Sequence, residues 1–239
     1  MGKILFLADI HGNMPAVEAL EKEIERIQPD DIWFLGDAVG KGPENDKAID
    51  WVRSRCKHFI RGNWDDYVCN SYRNGVWPQN SFYWKQIGEE RIQWLESLPY
   101  EDEVLISGHW FRLLHGRPVD RLYQAYDDFE TLMMGFESKI FNRQYNGYIC
   151  ADSHMPYFRA CKLGYAMNTG SVGNSIGIPN VHALILEGEI GAENKSAIRY
   201  EILSIPYDNQ AAADVAENYP ELPDRGCYQR EVLTGIYSR

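Results

Sequence analysis

Long apolar runs are missing from this chain, and none approaches the roughly 18 to 20 residues that a membrane-crossing helix needs. Met1-Gly2-Lys3 leads straight into the strand-like Ile4-Leu5-Phe6-Leu7, so no export signal is expected. A water-soluble protein with no membrane partner is expected. Cysteine is scarce and poorly placed: Cys56, Cys69, Cys150, Cys161 and Cys227 are odd in number, scattered, and never form a Cys-x-x-Cys pair. Neither a disulfide framework nor a zinc ribbon is indicated, and a reducing cytoplasm is the expected location. Positive charge is short as well, with 24 Lys and Arg against 35 Asp and Glu and a formal charge of −11. Such a composition cannot easily supply the cationic surface that tracks long nucleic acid. A small anionic ligand remains open to it, because bound divalent cations concentrate positive charge at one point. Metal ligands are therefore the residues to look for.

With 239 residues, 44% of them hydrophobic, the chain can enclose one sizeable core, so residues 1–239 are expected to form a single main domain. Strand and helix alternate first: Lys3 to Ala8 as a strand, Met14 to Ile27 as a helix, Ile32 to Leu35, Asp46 to Arg53, then His58 to Ile60. That order is the βαβαβ signature of a parallel sheet. From Trp64 to Leu98 the chain turns helical and aromatic, punctuated by Gly75 and Pro78, and reads as a helical cap at about 64–98. Its rings are expected chiefly to pack the cap onto the sheet, with base stacking as the alternative. The second half is strand-rich: Glu103 to Ser107, Phe111 to Leu114, Gly147 to Ala151, Tyr165 to Asn168, Ala183 to Leu186 and Arg199 to Ile205. One helix-like interval lies near Tyr126 to Glu137. A last amphipathic segment, Asn209 to Tyr219, ends at Pro220, and the tail beyond it is expected to be weakly structured.

Chemistry gathers where the strands stop. The first strand ends in Ala8-Asp9-Ile10-His11-Gly12-Asn13, where Asp9 and His11, two apart, point to the same side of an extended backbone. The second ends in Leu35-Gly36-Asp37 and the third in Arg61-Gly62-Asn63, both at the carboxyl ends of strands, where open α/β sheets place a ligand crevice. Two later runs, Leu113-Leu114-His115-Gly116 and Cys150-Ala151-Asp152-Ser153-His154, repeat the pattern. An apolar strand that delivers a polar side chain into a crevice needs something there to satisfy it. His58, His109 and His182 lie outside these blocks and read as ordinary packed or exposed histidines.

In that order, Asp-x-His, Gly-Asp, Gly-Asn-x-Asp, His-Gly and a closing x-x-His resemble the calcineurin-like metallophosphoesterase superfamily over residues 3 to 206. Asn168-Thr169-Gly170-Ser171-Val172-Gly173 resembles the Asn-Pro-Gly-Ser-Val block of the bacterial members, with Thr169 in place of the proline. The resemblance implies an α/β fold, a four-layer αββα sandwich with two mixed sheets. It also implies two divalent metals, manganese foremost, with iron, magnesium or zinc as alternatives. Asp9, His11 and His154 would hold one and Asn63 and His115 the other, while Asp37 would bridge them. A hydroxide between cations about 3.5 Å apart is then the implied nucleophile. Asp37, Asn63 and Asp65 are the implied catalytic residues, and Asn13, Lys41, Arg61, Trp64 and Arg117 are candidates for contacting substrate.

Two departures stand out. Asp152 occupies the place of a ligating histidine; if it ligates, three carboxylates favour hard cations over zinc. Trp64 replaces a histidine that stabilises the transition state or protonates the leaving group, and an indole has no titrating nitrogen. The implied function is hydrolysis of a small phosphorylated substrate, as a phosphatase or phosphodiesterase, with a nucleotide or dinucleoside polyphosphate in view. The alternatives are a serine/threonine-type protein phosphatase or a non-catalytic phosphate-binding module with a degraded second metal site. Oligomeric state is not legible.

Overall fold

Every second residue of the first strand meets a different layer. The computed structural model describes residues 1–116, 135–138 and 140–239. In β1 (Gly2–Leu7), Leu5 and Leu7 face one way and Ile4 and Phe6 the other, as the period of two dictates. β2 (Asp31–Phe34) does the same, with Ile32 and Phe34 on the first side and Trp33 on the second. Strands buried on both faces read as continuous apolar runs, which is what the sequence shows here.

The first side is covered by helices. α1 (Met14–Ile27) buries Ala16, Val17, Leu20 and Ile24, and α2 (Asn45–Arg55) buries Ala48, Ile49 and Val52. After the short β3 (His58–Phe59) come α3 (Asn63–Asn74) and α4 (Ser81–Ser97), joined through the left-handed Gly75 and a 3-10 turn that begins at Pro78. These helices lie where the aromatic segment was expected, and their rings pack edge to face: Trp64 on Tyr67 and Tyr83, Tyr67 on Trp77.

The second side meets another sheet, through Val104, Ile106, Phe111, Leu113, Ile149 and Met167. Its strands are β4 (Glu101–Ile106), β5 (His109–Leu114), β8 (Gly147–Cys150), β9 (Tyr157–Ala160) and β10 (Tyr165–Asn168), in the order β4-β5-β8-β10-β9. A small ladder pairs β6 (Glu137–Ser138) with β7 (Arg143–Gln144). β11 (Val181–Gly188) and β12 (Arg199–Ile205) complete the first sheet, ordered β12-β11-β1-β2-β3. β1, β2 and β3 are parallel, as the βαβαβ pattern predicts, while β11 runs antiparallel to β1. The result is two five-stranded mixed sheets face to face, the α/β sandwich expected from the resemblance. Most of the helix-like interval at Tyr126 to Glu137 lies outside the described residues; Glu137 itself is in β6. No described helix is long and apolar enough to cross a membrane.

One expectation is overturned. Beyond α5 (Asn209–Glu217), the segment after Pro220 is not weakly structured: it forms α6 (Arg225–Thr234), which buries Tyr228, Glu231 and Val232 against the helical layer. Those positions have helical spacing, but the middle one is a carboxylate, so the apolar stripe that pattern reading depends on is broken. β9 was missed for a related reason: as an edge strand with partly exposed residues it lacks a long apolar run.

Candidate metal centre

Six loops meet at the carboxyl ends of strands from both sheets, those after β1, β2 and β3 and those after β5, β8 and β10. The loop after β1 is zipped to the loop after β2 by Asp9 N to Gly36 O (2.9 Å), His11 N to Asp37 O (3.2 Å) and Gly12 N to Ala38 O (3.2 Å). The loop after β8 joins them where Asp152 N donates to Asp9 Oδ2 (3.2 Å). The block after β10 closes the ring, with Ser171 Oγ and Gly173 N both donating to Asp9 O. Asp9, His11, Asp37, Lys41, Asp152 and His154 all have positive φ, six of the eleven such non-glycine residues described. Asp9 and His11 therefore do not converge from an extended strand, as their spacing suggested. They converge because left-handed turns, roughly 1–3 kcal/mol each in strain, fold the chain around one point. Gly36 and Gly62 allow the approach: a Cβ on Gly36 would stand 2.7 Å from His115 Nδ1, and one on Gly62 would stand 2.0 Å from Asp37 Oδ1.

Each imidazole is held from behind. Nδ1 of His11 donates to Val39 O (2.9 Å), Nδ1 of His115 to Leu35 O (2.6 Å) and Nδ1 of His154 to Asn174 O. A carbonyl only accepts, so the proton is on Nδ1 in all three and Nε2 turns inward, the arrangement that fixes metal-binding histidines. His11 Nε2 and His154 Nε2 stand 3.2 Å apart. Asp9 Oδ1 lies 3.5 Å from His154 Nε2, 3.7 Å from His11 Nε2 and 3.8 Å from His115 Nε2. It is buried and has no hydrogen-bond partner among the described residues. Asp37 Oδ2 is 3.6 Å from His11 Nε2 and 3.3 Å from His115 Nε2. Asn63 Oδ1 comes within 3.0 Å and Asp152 Oδ1 within 3.7 Å of His115 Nε2.

Lone pairs facing lone pairs across 3 Å fit divalent cations. Among the described residues two overlapping triads emerge, Asp9-His11-His154 and Asp9-Asp37-His115, each with its ligand atoms within 4.8 Å of one another. Asp9 is common to both groups, and Asp37, a member of the second, also brings its Oδ2 within 3.6 Å of His11 Nε2 in the first. The local field has the matching sign. Burial alone would lower the His115 pKa, but Asp37, Asp9 and Asp152 outweigh it and hold it well above the ordinary value. His11 goes the other way, pushed well below by burial, Lys41 and His154. Burial would raise Asp9, yet His154, His115 and Lys41 bring it below the usual carboxylate range.

The remaining sequence candidates divide. Lys41 reaches the cluster, its Nζ 3.4 Å from His154 Nε2 and 3.0 Å from Asn174 Oδ1. Trp64 walls it, edge-on to the His11 ring at 6.1 Å, while its backbone N–H donates to Asp37 Oδ1 (2.8 Å). Asp65 does not face the cluster: its oxygens accept from Gly62 N, Asp37 N and Ala38 N and so shape the Asp37 loop. Burial and Asp37 raise its pKa to about 7. Asn13 is spent on capping α1 and on Gly173 O and Tyr207 Oη. Arg61 is drawn away by Asp66, Tyr100 and the Glu96 carbonyl. The structure brings neither into the cluster, and Arg117 lies outside the described residues. Pattern reading missed Asn174 and Glu231. Asn174 directly follows the quoted Asn168 to Gly173 block, whereas a glutamate at 231 carries no local signal.

A family model for calcineurin-like phosphoesterases matches residues 2–185. The uncharacterized protein MJ0912 of Methanocaldococcus jannaschii is 26% identical over 176 residues, covering 71% of this chain and 69% of that protein. Among solved structures, a metallophosphoesterase from Sphaerobacter thermophilus superposes with a TM-score of 0.76 at 21% identity, covering 98% of this chain and 99% of that one. The hypothetical protein PH1004 from Pyrococcus horikoshii OT3 superposes with a TM-score of 0.78 at 18% identity, covering all of both chains. At those identities the superpositions establish the fold, and the match over 2–185 together with it establishes that this chain belongs to the calcineurin-like phosphoesterase family, a family of divalent-metal-dependent enzymes.

Proposed function

We propose that the chain is a dinuclear metal-dependent phosphoester hydrolase acting on a small phosphorylated substrate. The observation that carries this reading is the buried, unpartnered Asp9 Oδ1 set among three inward-turned histidine nitrogens. Asp9, His11 and His154 would hold one ion and His115, Asn63 and Asp152 the other, with Asp37 shared. When bound, such ions screen the phosphate's charge and make a water nucleophilic at neutral pH. The protein's part is orientation. Asp37 Oδ1 is tied to the Trp64 amide, which leaves Oδ2 directed at the cluster. Lys41 Nζ, beside His154, suits the substrate's phosphoryl oxygens. Trp64, edge-on to the His11 ring, has no titrating nitrogen to give a leaving group a proton, which favours substrates with good leaving groups, anhydrides among them. Three carboxylates favour manganese or another hard cation. Five free cysteines agree with a reducing, cytoplasmic setting.

The test loads the protein with Mn²⁺, counts metal per chain and screens nucleotides, an aryl phosphate and a phosphopeptide for phosphate release. Two ions per chain and turnover of the small esters support the reading. Turnover confined to the phosphopeptide would make it a protein phosphatase. No hydrolysis with any divalent ion would make it a binding module.

A further inference from the structure

Glu231 is an acid buried 57 residues down the chain from Asn174, outside the family-matched stretch, yet it is wired to the metal cluster. Its Oε2 accepts from Asn174 Nδ2 at 3.1 Å and from Arg239 Nε at 3.2 Å, and its Oε1 accepts from Ser238 N at 3.0 Å. Glu231 is 2% exposed, Asn174 1% and Lys41 6%.

A carboxylate only accepts, so it decides which way the Asn174 amide faces. The NH₂ must turn to Glu231, and Oδ1 must then turn to Lys41, whose Nζ lies 3.0 Å away. On its other side the same ammonium stands 3.4 Å from His154 Nε2, the atom proposed to hold a metal. A cation beside a bound cation is repelled unless it is anchored from behind and an anion lies between the two. The Asn174 oxygen supplies the anchor, and the anion is a phosphoryl oxygen. The backbone agrees: Lys41 sits at φ +57 after Gly40 at φ +91, a turn that folds the side chain back toward the cluster.

We propose that Glu231 is a positioning residue: acting through Asn174, it holds the Lys41 ammonium against the His154 side of the site, where Lys41 binds the phosphoryl group of the substrate. The assignment rests on the proposed hydrolase reading for its substrate, but its test does not require turnover. With glutamine at 231 the charge is lost and a single oxygen is left to serve Asn174 Nδ2, Arg239 Nε and Ser238 N, so the Asn174 amide is no longer locked with Oδ1 toward the ammonium. Lys41 then loses its anchor while the packing volume of α6 is kept.

The test is a double-mutant cycle read by calorimetric binding of inorganic phosphate to the Mn²⁺-loaded full chain. Lys41→Ala is expected to weaken binding about thirtyfold and Glu231→Gln about tenfold, in line with the loss of charge-assisted hydrogen bonds. The double variant is expected to match Lys41→Ala within about twofold, because the proposed route from Glu231 to phosphate runs through Asn174 Oδ1 and Lys41. KM for a hydrolysed ester should rise in Glu231→Gln while kcat changes less. Equal weakening by Glu231→Gln in both backgrounds would show a merely structural role and overturn the proposal. So would unchanged binding in Lys41→Ala, or no phosphate binding by the loaded wild type. If Glu231→Gln fails to melt cooperatively, Asn174→Ala replaces it with the same expectation. A coupled cycle without hydrolysis of any ester would sink the functional reading and leave the relay standing. Hydrolysis with an additive cycle would do the reverse.

Discussion

Asp9 has one carboxylate oxygen on the Asp152 amide and the other on nothing among the described residues, while three ring nitrogens surround it within 3.8 Å. A proton on His115 answers this negative field until a metal does. The sign follows directly. His115 is held well above its ordinary value, so the metal-free protein keeps the proton at neutral pH, and its stabilising contribution, full below about 6.5, is lost as pH rises through the raised value. Mn²⁺ must displace that proton, so affinity is expected to fall with falling pH and binding to release protons. Metal titration in two buffers of different ionisation enthalpy measures the release; identical heats would contradict it. At the same scale, Asp37→Ala is expected to lower hydrolysis by more than about a hundredfold, because Asp37 Oδ2 is shared between His11 and His115. Asp152→Ala is expected to remove one metal selectively, counted by elemental analysis. Full metal content and full activity in Asp152→Ala would exclude it as a ligand.

At the scale of elements, α6 shows how a helix with a broken apolar stripe can still be anchored. Tyr228 is fully buried and its ring would lie 2.9 Å from a Cβ on Gly42, so α6 packs onto the same loop that carries Lys41. Tyr228→Ala is expected to destabilise the protein by about 3–5 kcal/mol, as large-to-small changes of buried aromatics do. The Tyr228 hydroxyl has no partner among the described residues, so Tyr228→Phe should shift stability by less than about 1 kcal/mol. Urea unfolding of the two variants separates packing from hydrogen bonding. A large loss in Tyr228→Phe would reveal a partner for the hydroxyl. The strand-to-loop transitions are the other elements that matter: their apolar runs made them readable, but where each side chain points depends on φ values that no run of residues states.

For the molecule as a whole, the cluster is a clamp between two sheets. Asp9, Asp37 and Asn63 follow strands of the first sheet, and His115, Asp152 and His154 follow strands of the second. Ions held by both are expected to stabilise the fold by about 2.7 kcal/mol at a hundred times Kd and so to raise Tm with concentration, and a chelator should reverse it. Calorimetric scanning with and without Mn²⁺ decides, and a Tm indifferent to the metal would remove the clamp. The sequence by itself determined the alternation of strands and helices, the apolar core and the types of ligand, because burial and periodicity are local properties that each segment carries in its own residues. It placed Asp9, Asp37, Asn63, His115 and His154 at strand ends for the same reason. Only the tertiary structure decided that Asn13 and Arg61 are spent elsewhere and that Asp65 braces a loop. It alone turned every Nε2 inward through the carbonyls of Leu35, Val39 and Asn174, and it alone brought Glu231 to Asn174 and Asn174 to Lys41 across 57 and 133 residues of chain. Hydrogen bonds over such separations depend on where the backbone has been carried, and that is settled by the packing of two sheets and their helices, not by any neighbourhood in the sequence.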